Sequence, residues 1–123
     1  MRYVIGALFL LCASRAAADD QACDAARHTL EIDNATTREL HELGKGLNDQ
    51  SKNICDTRLR ATLASDVESL QRQLEDIKQI DSVCADKPNL LHSADSMVPS
   101  LSALLAKGQQ AITSVTSACG GGD

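Results

Sequence analysis

Apolar residues recur at helical spacing along three consecutive stretches of the chain. The clearest stretch lies between Cys55 and Cys84, and its apolar residues are Leu59, Leu63, Val67, Leu70, Leu74, Ile77 and Ile80. Steps of three and four place side chains on one face of an α-helix. Charged residues fill most of the remaining positions. The pattern predicts an amphipathic helix over 56–83 with a cysteine beside each end.

The flanking stretches carry matching apolar patterns, each with one irregularity. The first predicts a helix over 20–53, but Asp33 and Thr37 occupy positions where apolar residues are expected. We therefore expect a kink or a frayed turn near the middle of this helix. The third predicts a helix over 89–119 that contains Pro99. Proline removes a helical hydrogen bond, but the apolar spacing continues past it, so we expect one bent helix rather than two.

The positions of four cysteines select one disulfide pairing. Consecutive residues of the set Cys23, Cys55, Cys84 and Cys119 are separated by nearly one helix each. At 1.5 Å per residue such neighbours lie roughly 40 Å apart, whereas a disulfide requires Cα atoms within about 7 Å. In an up-down-up bundle Cys23 meets Cys84, and Cys55 meets Cys119. A thiol metal site or redox pair is disfavoured, because the sequence has no CxxC and no nearby histidine at ligand spacing.

These patterns together predict an all-α fold. We expect an antiparallel up-down-up three-helix bundle over 19–119, packed in the manner of a short coiled coil and stapled by two disulfides. Residues 120–123, which include three glycines, are predicted to be a flexible tail.

The first 18 residues have the features of a cleaved signal peptide. Arg2 precedes a short apolar run over 4–12, and Ala16, Ala17 and Ala18 supply small residues before a cleavage site. The run is shorter than the roughly 20 residues that cross a bilayer. Lipid attachment at Cys12 is disfavoured because the bulky Leu11 precedes it. We expect a secreted or periplasmic protein that does not span a membrane.

Removal of this leader changes the composition of the chain. Tyr3 and Phe9, the only aromatic residues, leave with it. Loss of Arg2 and Arg15 leaves 10 basic residues against 17 acidic ones, a net charge of −7. Nucleic-acid binding requires a basic face and often uses aromatic stacking. We therefore exclude nucleic acid as a partner, and aromatic platforms for sugars or cages for cations are excluded in the same way.

The sequence carries no recognisable catalytic motif. Its serines are not accompanied by a Ser–His–acid order or a Gly-rich elbow, and no phosphate-binding loop is present. The histidines, His28, His41 and His92, are predicted to face solvent. His28 with Glu31, or His41 with Glu42, could chelate a metal, although a solvated histidine is the more common explanation. We expect no enzyme, no cofactor and no metal site.

Two features of the predicted bundle are candidate binding sites. Helix 3 carries a second apolar line at seven-residue spacing, formed by Leu90, Met97, Leu104 and Ala111. We interpret this line as a face for a protein partner or a second copy, the alternative being a deeply seated helix of a monomer. The second feature is a polar notch of Asp33, Asn34 and Thr37 at the height of Pro99. It is either a small polar pocket or a pair of helix faults solvated by water.

The function that the sequence favours is that of a small exported helical interaction module without catalytic activity. In this hypothesis the apolar face of helix 3 binds a protein or another copy of the chain. The alternative is a bundle that binds a small ligand or a metal.

Overall fold

The computed structural model describes the backbone of residues 2–51 and 53–120 and the side chains of residues 20–48 and 53–120. Within these ranges every regular element is an α-helix: α1 (Arg2–Ser51), α2 (Thr57–Val83), α3 (Pro88–Asp95) and α4 (Val98–Ala118). The segments α3 and α4 together form the third arm of an antiparallel up-down-up three-helix bundle. The predicted fold class is therefore confirmed.

The ends of the chain leave two predictions open. Of the signal peptide predicted over 1–18, the structure describes only the helical backbone of residues 2–18, so its cleavage stays a prediction. Of the predicted tail, Gly120 has a left-handed backbone angle, φ 82°, which suits glycine at the end of a helix. Residues 121–123 lie outside the described part of the chain. No helix among the described residues is long and apolar enough to cross a membrane.

Two disulfides tie the ends of α2 to the flanking arms, with the predicted pairing. Cys23 is bonded to Cys84 with Cα atoms 5.1 Å apart, and Cys55 to Cys119 with Cα atoms 5.6 Å apart. Each bridge joins residues more than 60 positions apart in sequence. A loop of that length restricts the unfolded chain by about 4 kcal/mol in the chain-entropy description. The bridges therefore contribute substantially to the stability of so small a domain.

The central helix, α2, begins and ends close to its predicted bounds. The Asp56 carboxylate caps its first turn, because Oδ1 accepts hydrogen bonds from the backbone N–H groups of Arg58 at 2.9 Å and Leu59 at 3.1 Å. At the other end the N–H of Cys84 donates to the carbonyl of Ile80. Both α1 and α4 pack along α2, and α3 packs against its C-terminal end, whereas α1 and α4 have no comparable packing against each other.

The apolar core is concentrated at the Cys23–Cys84 end of the bundle. All four helices contribute to it, so the bundle is closed there. Its buried members are Cys23, Ala26, Leu30, Leu70, Ile77, Ile80, Cys84, Ala94 and Leu101. Toward the Cys55–Cys119 end this cluster does not continue, and Leu47 of α1 and Val67 of α2 are buried outside it.

The third arm consists of two helical segments rather than the one bent helix expected. Ser96 and Met97 separate the segments, although both keep right-handed helical backbone angles. The Met97 N–H donates to the carbonyl of Ala94 at 3.1 Å, three residues back, so the turn is tighter than an α-helical one. Pro99 is the second residue of α4, where its missing N–H removes no helical bond. The change of direction therefore lies before the proline.

The kink or frayed turn expected near Asp33 is absent, and α1 is continuous to Ser51. The Thr37 hydroxyl donates to the carbonyl of Asp33 at 2.8 Å, within the helix. Polar residues at this height on α2 accommodate the polar positions of α1, so the helix has no need to break.

Candidate functional site

A groove runs along one side of α2 between the two flanking arms. Residues 34–48 of α1 supply one wall, residues 101–115 of α4 supply the other, and α2 supplies the floor over 59–73. Its volume is about 680 Å³. A helical stretch of this length spans about 21 Å. The groove exists because α1 and α4 both pack on α2 but not on each other, and we call it the α1–α4 groove.

Close contacts with α2 show which residues of the two walls lie at the same level along the bundle. On the α1 side, Nδ1 of His41 lies 4.0 Å from Oδ2 of Asp66. On the α4 side, a Cβ on Gly108 would lie only 2.7 Å from Cγ2 of Val67. Asp66 and Val67 are adjacent, so His41 and Gly108 lie at the same height on opposite walls. The missing side chain of Gly108 is what lets α4 approach α2 so closely.

The floor of the groove is covered more completely than its edges. On α2, Leu70 is only 3% exposed and Gln73 is 0% exposed, whereas Leu104 at the edge of α4 is 45% exposed. Leu59 and Leu63, nearer the Cys55–Cys119 end, are half-buried. The apolar surface open to a ligand therefore lies at Leu59, Leu63 and Leu104.

The charges along the groove are mostly positive. Five basic residues border it: Arg38, His41 and Lys45 on α1, Arg60 on α2 and Lys107 on α4. The three on α1 follow steps of three and four and so lie on one face of that helix. Asp66 is the one carboxylate among the lining residues. The sign of the groove is therefore opposite to that of the whole chain, which has a net charge of −5.

Two hydrogen-bond acceptors in the floor have no partner among the described residues. They are Oδ1 of Asp66 and Oε1 of Gln73. Burial raises the pKa of Asp66 above its usual value, and the charge of His41 opposes this effect. The other end of the Gln73 amide is occupied, because Nε2 donates to Oδ1 of Asn34 at 3.0 Å. The floor is thus apolar with two positions that can accept a hydrogen bond.

The predicted polar notch is paired with α2 rather than with the bend of the third arm. Thr37 Oγ1 lies 2.6 Å from Ser69 Oγ, and Asn34 accepts from Gln73 as described above. Asp33 Oδ1 lies 3.9 Å from Nε of Arg72. Pro99 is exposed and does not line the groove. The sequence left two alternatives, a polar pocket at Pro99 and helix faults solvated by water. The contacts match neither, because side chains of α2 pair with Asp33, Asn34 and Thr37.

The predicted partner face of helix 3 is divided between the core and the groove. Leu90 and Met97 are half-buried and pack against the core. Leu104 and Ala111 line the α1–α4 groove. The four residues therefore do not form one exposed surface. Sequence reasoning missed the opposite wall, including Leu40 and Gly44, because the pattern of a single helix does not reveal which neighbour it fails to meet.

The candidate metal-binding pairs do not come together into a metal site. His28 and Glu31 are both exposed on α1. His41 faces Asp66 across the groove rather than forming a set with Glu42. Among residues whose side chains the structure describes, no group of three or more His, Cys, Asp or Glu is arranged to hold a metal ion.

Comparison with known proteins yields no relative. The sequence matches no family model, and neither a curated protein nor a solved structure matches it. The functional argument therefore depends on the geometry and charge of the α1–α4 groove.

Proposed function

We propose that the protein is a small exported binding module, without catalytic activity, that holds an elongated apolar ligand in the α1–α4 groove. The observation that carries the proposal is the groove itself. Its volume, about 680 Å³, lies within the range of about 300–1,000 Å³ that is typical of small-molecule sites. Leucines from all three arms line it, among them Leu40, Leu63 and Leu104.

Export is supported by the covalent structure. Two intramolecular disulfides fit an oxidising environment, such as the periplasm or the cell exterior. The features of a signal peptide over 1–18 point to the same compartments.

The hydroxyl groups along the groove support a binding role rather than catalysis. The Thr62 hydroxyl donates to the carbonyl of Arg58 within α2 at 2.8 Å. The Thr37 hydroxyl donates to a carbonyl of its own helix and lies against Ser69. A catalytic hydroxyl needs a base within about 3.2 Å. The structure gives neither of these threonines such a base among the described side chains, although His41 and Asp66 lie in the same groove.

We favour a small ligand over a protein partner or a second copy of the chain bound to helix 3. Leu90 and Met97, half of the predicted partner face, are turned into the core. The apolar surface that remains at Leu104 and Ala111 belongs to a groove with two walls. A confined groove is better suited to a thin ligand than to a flat protein surface.

Titration with N-phenyl-1-naphthylamine, a neutral apolar fluorophore, tests the proposal. The oxidised protein should bind it saturably at one molecule per chain. Ala111→Trp should weaken binding at least about tenfold, because the indole would fill the groove between its walls. Excitation of the fluorophore itself keeps the new tryptophan from contributing to the signal.

Ala103→Trp is the matched control. Ala103 lies on α4 but is exposed and does not line the groove, so this variant should bind as the original protein does. Absence of saturable binding to the folded protein, or an equal loss in both variants, would refute the groove as the binding site.

A further inference from the structure

We propose that the ligand of the α1–α4 groove is an anionic single-chain amphiphile, with its charged head group held by basic side chains at the edges and its aliphatic chain lying along α2. This inference rests on the proposed function and adds the chemical class of the ligand. Three observations support it: the distribution of charge, the pairing of the basic residues and the low exposure of the groove floor.

Basic residues are concentrated at the groove in a chain that is acidic overall. Four of the 12 Lys and Arg residues line it, against one of the 17 Asp and Glu residues. A cleft lined by one sign of charge and walled by apolar groups focuses the electrostatic potential. The α1–α4 groove is therefore the part of the described surface that is built to attract an anion.

The lysines and arginines of the groove have no ion pair among the described residues, unlike most of those outside it. Within residues 20–48 and 53–120, Arg27, Arg72, Lys78 and Lys87 each form an ion pair, and all four lie outside the groove. Five other Lys and Arg side chains in this range have no ion pair among the described residues, and four of them line the groove: Arg38, Lys45, Arg60 and Lys107. The chain thus leaves positive charge uncompensated where a ligand would lie.

Two of these cations lie at similar heights on opposite walls of the groove. Arg38 is about one helical turn from His41, and Lys107 precedes Gly108, which lies at the height of His41 on the opposite wall. Both side chains are exposed, and their long aliphatic stems can follow the apolar edge while the charged ends reach inward. An anionic group over the middle of the groove would therefore meet a guanidinium from α1 and an ammonium from α4.

The charge of Asp66 is the one local opponent of an anion. Burial raises the pKa of this carboxyl, and the charge of His41 opposes that shift. Its Oδ2 also faces the His41 ring at 4.0 Å. The lysines and arginines that line the groove outnumber this single carboxylate four to one.

The low exposure of the groove floor favours an amphiphile over an acidic helix of a partner protein. Leu70 is 3% exposed and Gln73 is 0% exposed, so a docked helix would find little uncovered apolar surface to bury there. An aliphatic chain would replace water along Leu63 and Leu104 while leaving its head group at the edges.

The test compares dodecanoate, dodecyl phosphate and 1-dodecanol as competitors of the neutral fluorophore, with both anions below their micelle concentrations and the alcohol below its solubility limit. Both anions should bind at least about tenfold more tightly than the alcohol, and a difference between them identifies the preferred head group. Arg38→Glu combined with Lys107→Glu should weaken binding of the anions by at least about tenfold, since each reversed charge replaces an attraction with a repulsion. The same variant should bind 1-dodecanol within about twofold of the original protein.

Arg27→Glu combined with Lys78→Glu is the matched control, because both residues lie outside the groove and the change in net charge is identical. It should leave all three affinities within about twofold of the original. Thermal melting by circular dichroism establishes that each variant is folded. Raising the salt concentration should weaken binding of the anions but not of the alcohol.

The outcomes separate the two proposals. Equal binding of anion and alcohol, unaffected by charge reversal at Arg38 and Lys107, would overturn the anionic head group while the proposed function stands. Failure of every amphiphile and of the fluorophore to bind would refute the proposed function itself. Displacement of the fluorophore by an acidic amphipathic peptide, with no displacement by dodecanoate, would overturn the amphiphile in favour of a protein partner.

Discussion

Asp76 gives the fold an unusual dependence on pH. It lies on α2 beside Asp33 of α1, and burial is the largest cause of a pKa raised from the usual 3.8 to about 7. A side-chain hydrogen bond with Asp33 and the charge of Asp33 raise it further, Glu75 adds slightly, and Arg72 opposes the shift. The folded protein therefore binds a proton at Asp76 over a range in which the unfolded chain has released it.

Proton linkage determines whether the free energy of unfolding rises or falls with pH. Below about pH 4 both states are protonated at Asp76 and the stabilisation is fully present. Between about pH 4 and pH 7 the folded state holds more protons, so the free energy of unfolding falls as the pH rises. Burial also raises the pKa of Asp66, and a hydrogen bond that protonated Asp81 donates to Asp95 raises the pKa of Asp81. Asp66 and Asp81 therefore also contribute to the fall in the free energy of unfolding as the pH rises.

The expected contribution of Asp76 to the change in the free energy of unfolding is moderate. A pKa raised from 3.8 to about 7 sets an upper limit of about 4 kcal/mol, at about 1.4 kcal/mol for each pH unit. Asp76 is only partly buried, and water screens such groups, so we expect about 1–2 kcal/mol.

Asp76→Asn tests the reasoning, because the amide keeps the shape of the carboxyl and a donor toward Asp33 but does not titrate. At about pH 7.5 the variant should be more stable than the original by about 1–2 kcal/mol, and near pH 4 the two should agree. Urea unfolding followed by circular dichroism, under non-reducing conditions, measures this. Glu68→Gln, at an exposed position of α2, is the control. Stability that rises from pH 4 to 7 in the original protein, or an unchanged slope in Asp76→Asn, would contradict the assignment.

Four further substitutions test the packing and the groove. Gly108→Ala should lower the free energy of unfolding by about 1–3 kcal/mol, because its methyl group overpacks against Val67. Gly46→Ala is the control, and because the space around Gly46 is open it should raise the free energy of unfolding by up to about 1 kcal/mol. Equal effects of the two changes in urea unfolding would contradict the close approach of α4 to α2. Leu70→Ala should cost about 2–5 kcal/mol, and a loss under about 0.5 kcal/mol would show that its face meets solvent. Leu104→Lys should leave the melting temperature nearly unchanged but weaken fluorophore binding, because the lysine ammonium group is costly to desolvate. A variant that unfolds would show that Leu104 belongs to the core.

The parts of the fold that the sequence predicts are those controlled by local spacing. The apolar residues of α2 repeat without interruption, and Asp56 and the cysteines mark its ends, so its bounds follow closely. The pairing of Cys23 with Cys84 follows because a rigid helix excludes the alternatives.

The parts that the sequence does not predict depend on which helices touch. Thr37 looks like a fault in α1 when that helix is considered alone, but it is matched by Ser69 on α2. The α1–α4 groove likewise depends on a separation between two arms that are distant in sequence. Gly108 is the one local signal, because a glycine inside a helix often marks a close approach, and here it brings α4 onto α2 beside Val67.

The overlap of the two disulfide loops has a consequence for proteolysis. One bridge spans Cys23 to Cys84 and the other Cys55 to Cys119, so α2 belongs to both loops. A single cut at any peptide bond between Cys23 and Cys119 leaves both fragments joined by at least one bridge, and a cut within α2 leaves them joined by two. The exposed turns at Asn53 and Asp86 can thus be nicked by a protease without releasing a fragment. Outside the cell, such a nicked molecule would keep its intact size on a non-reducing gel, with both walls of the groove still attached to α2.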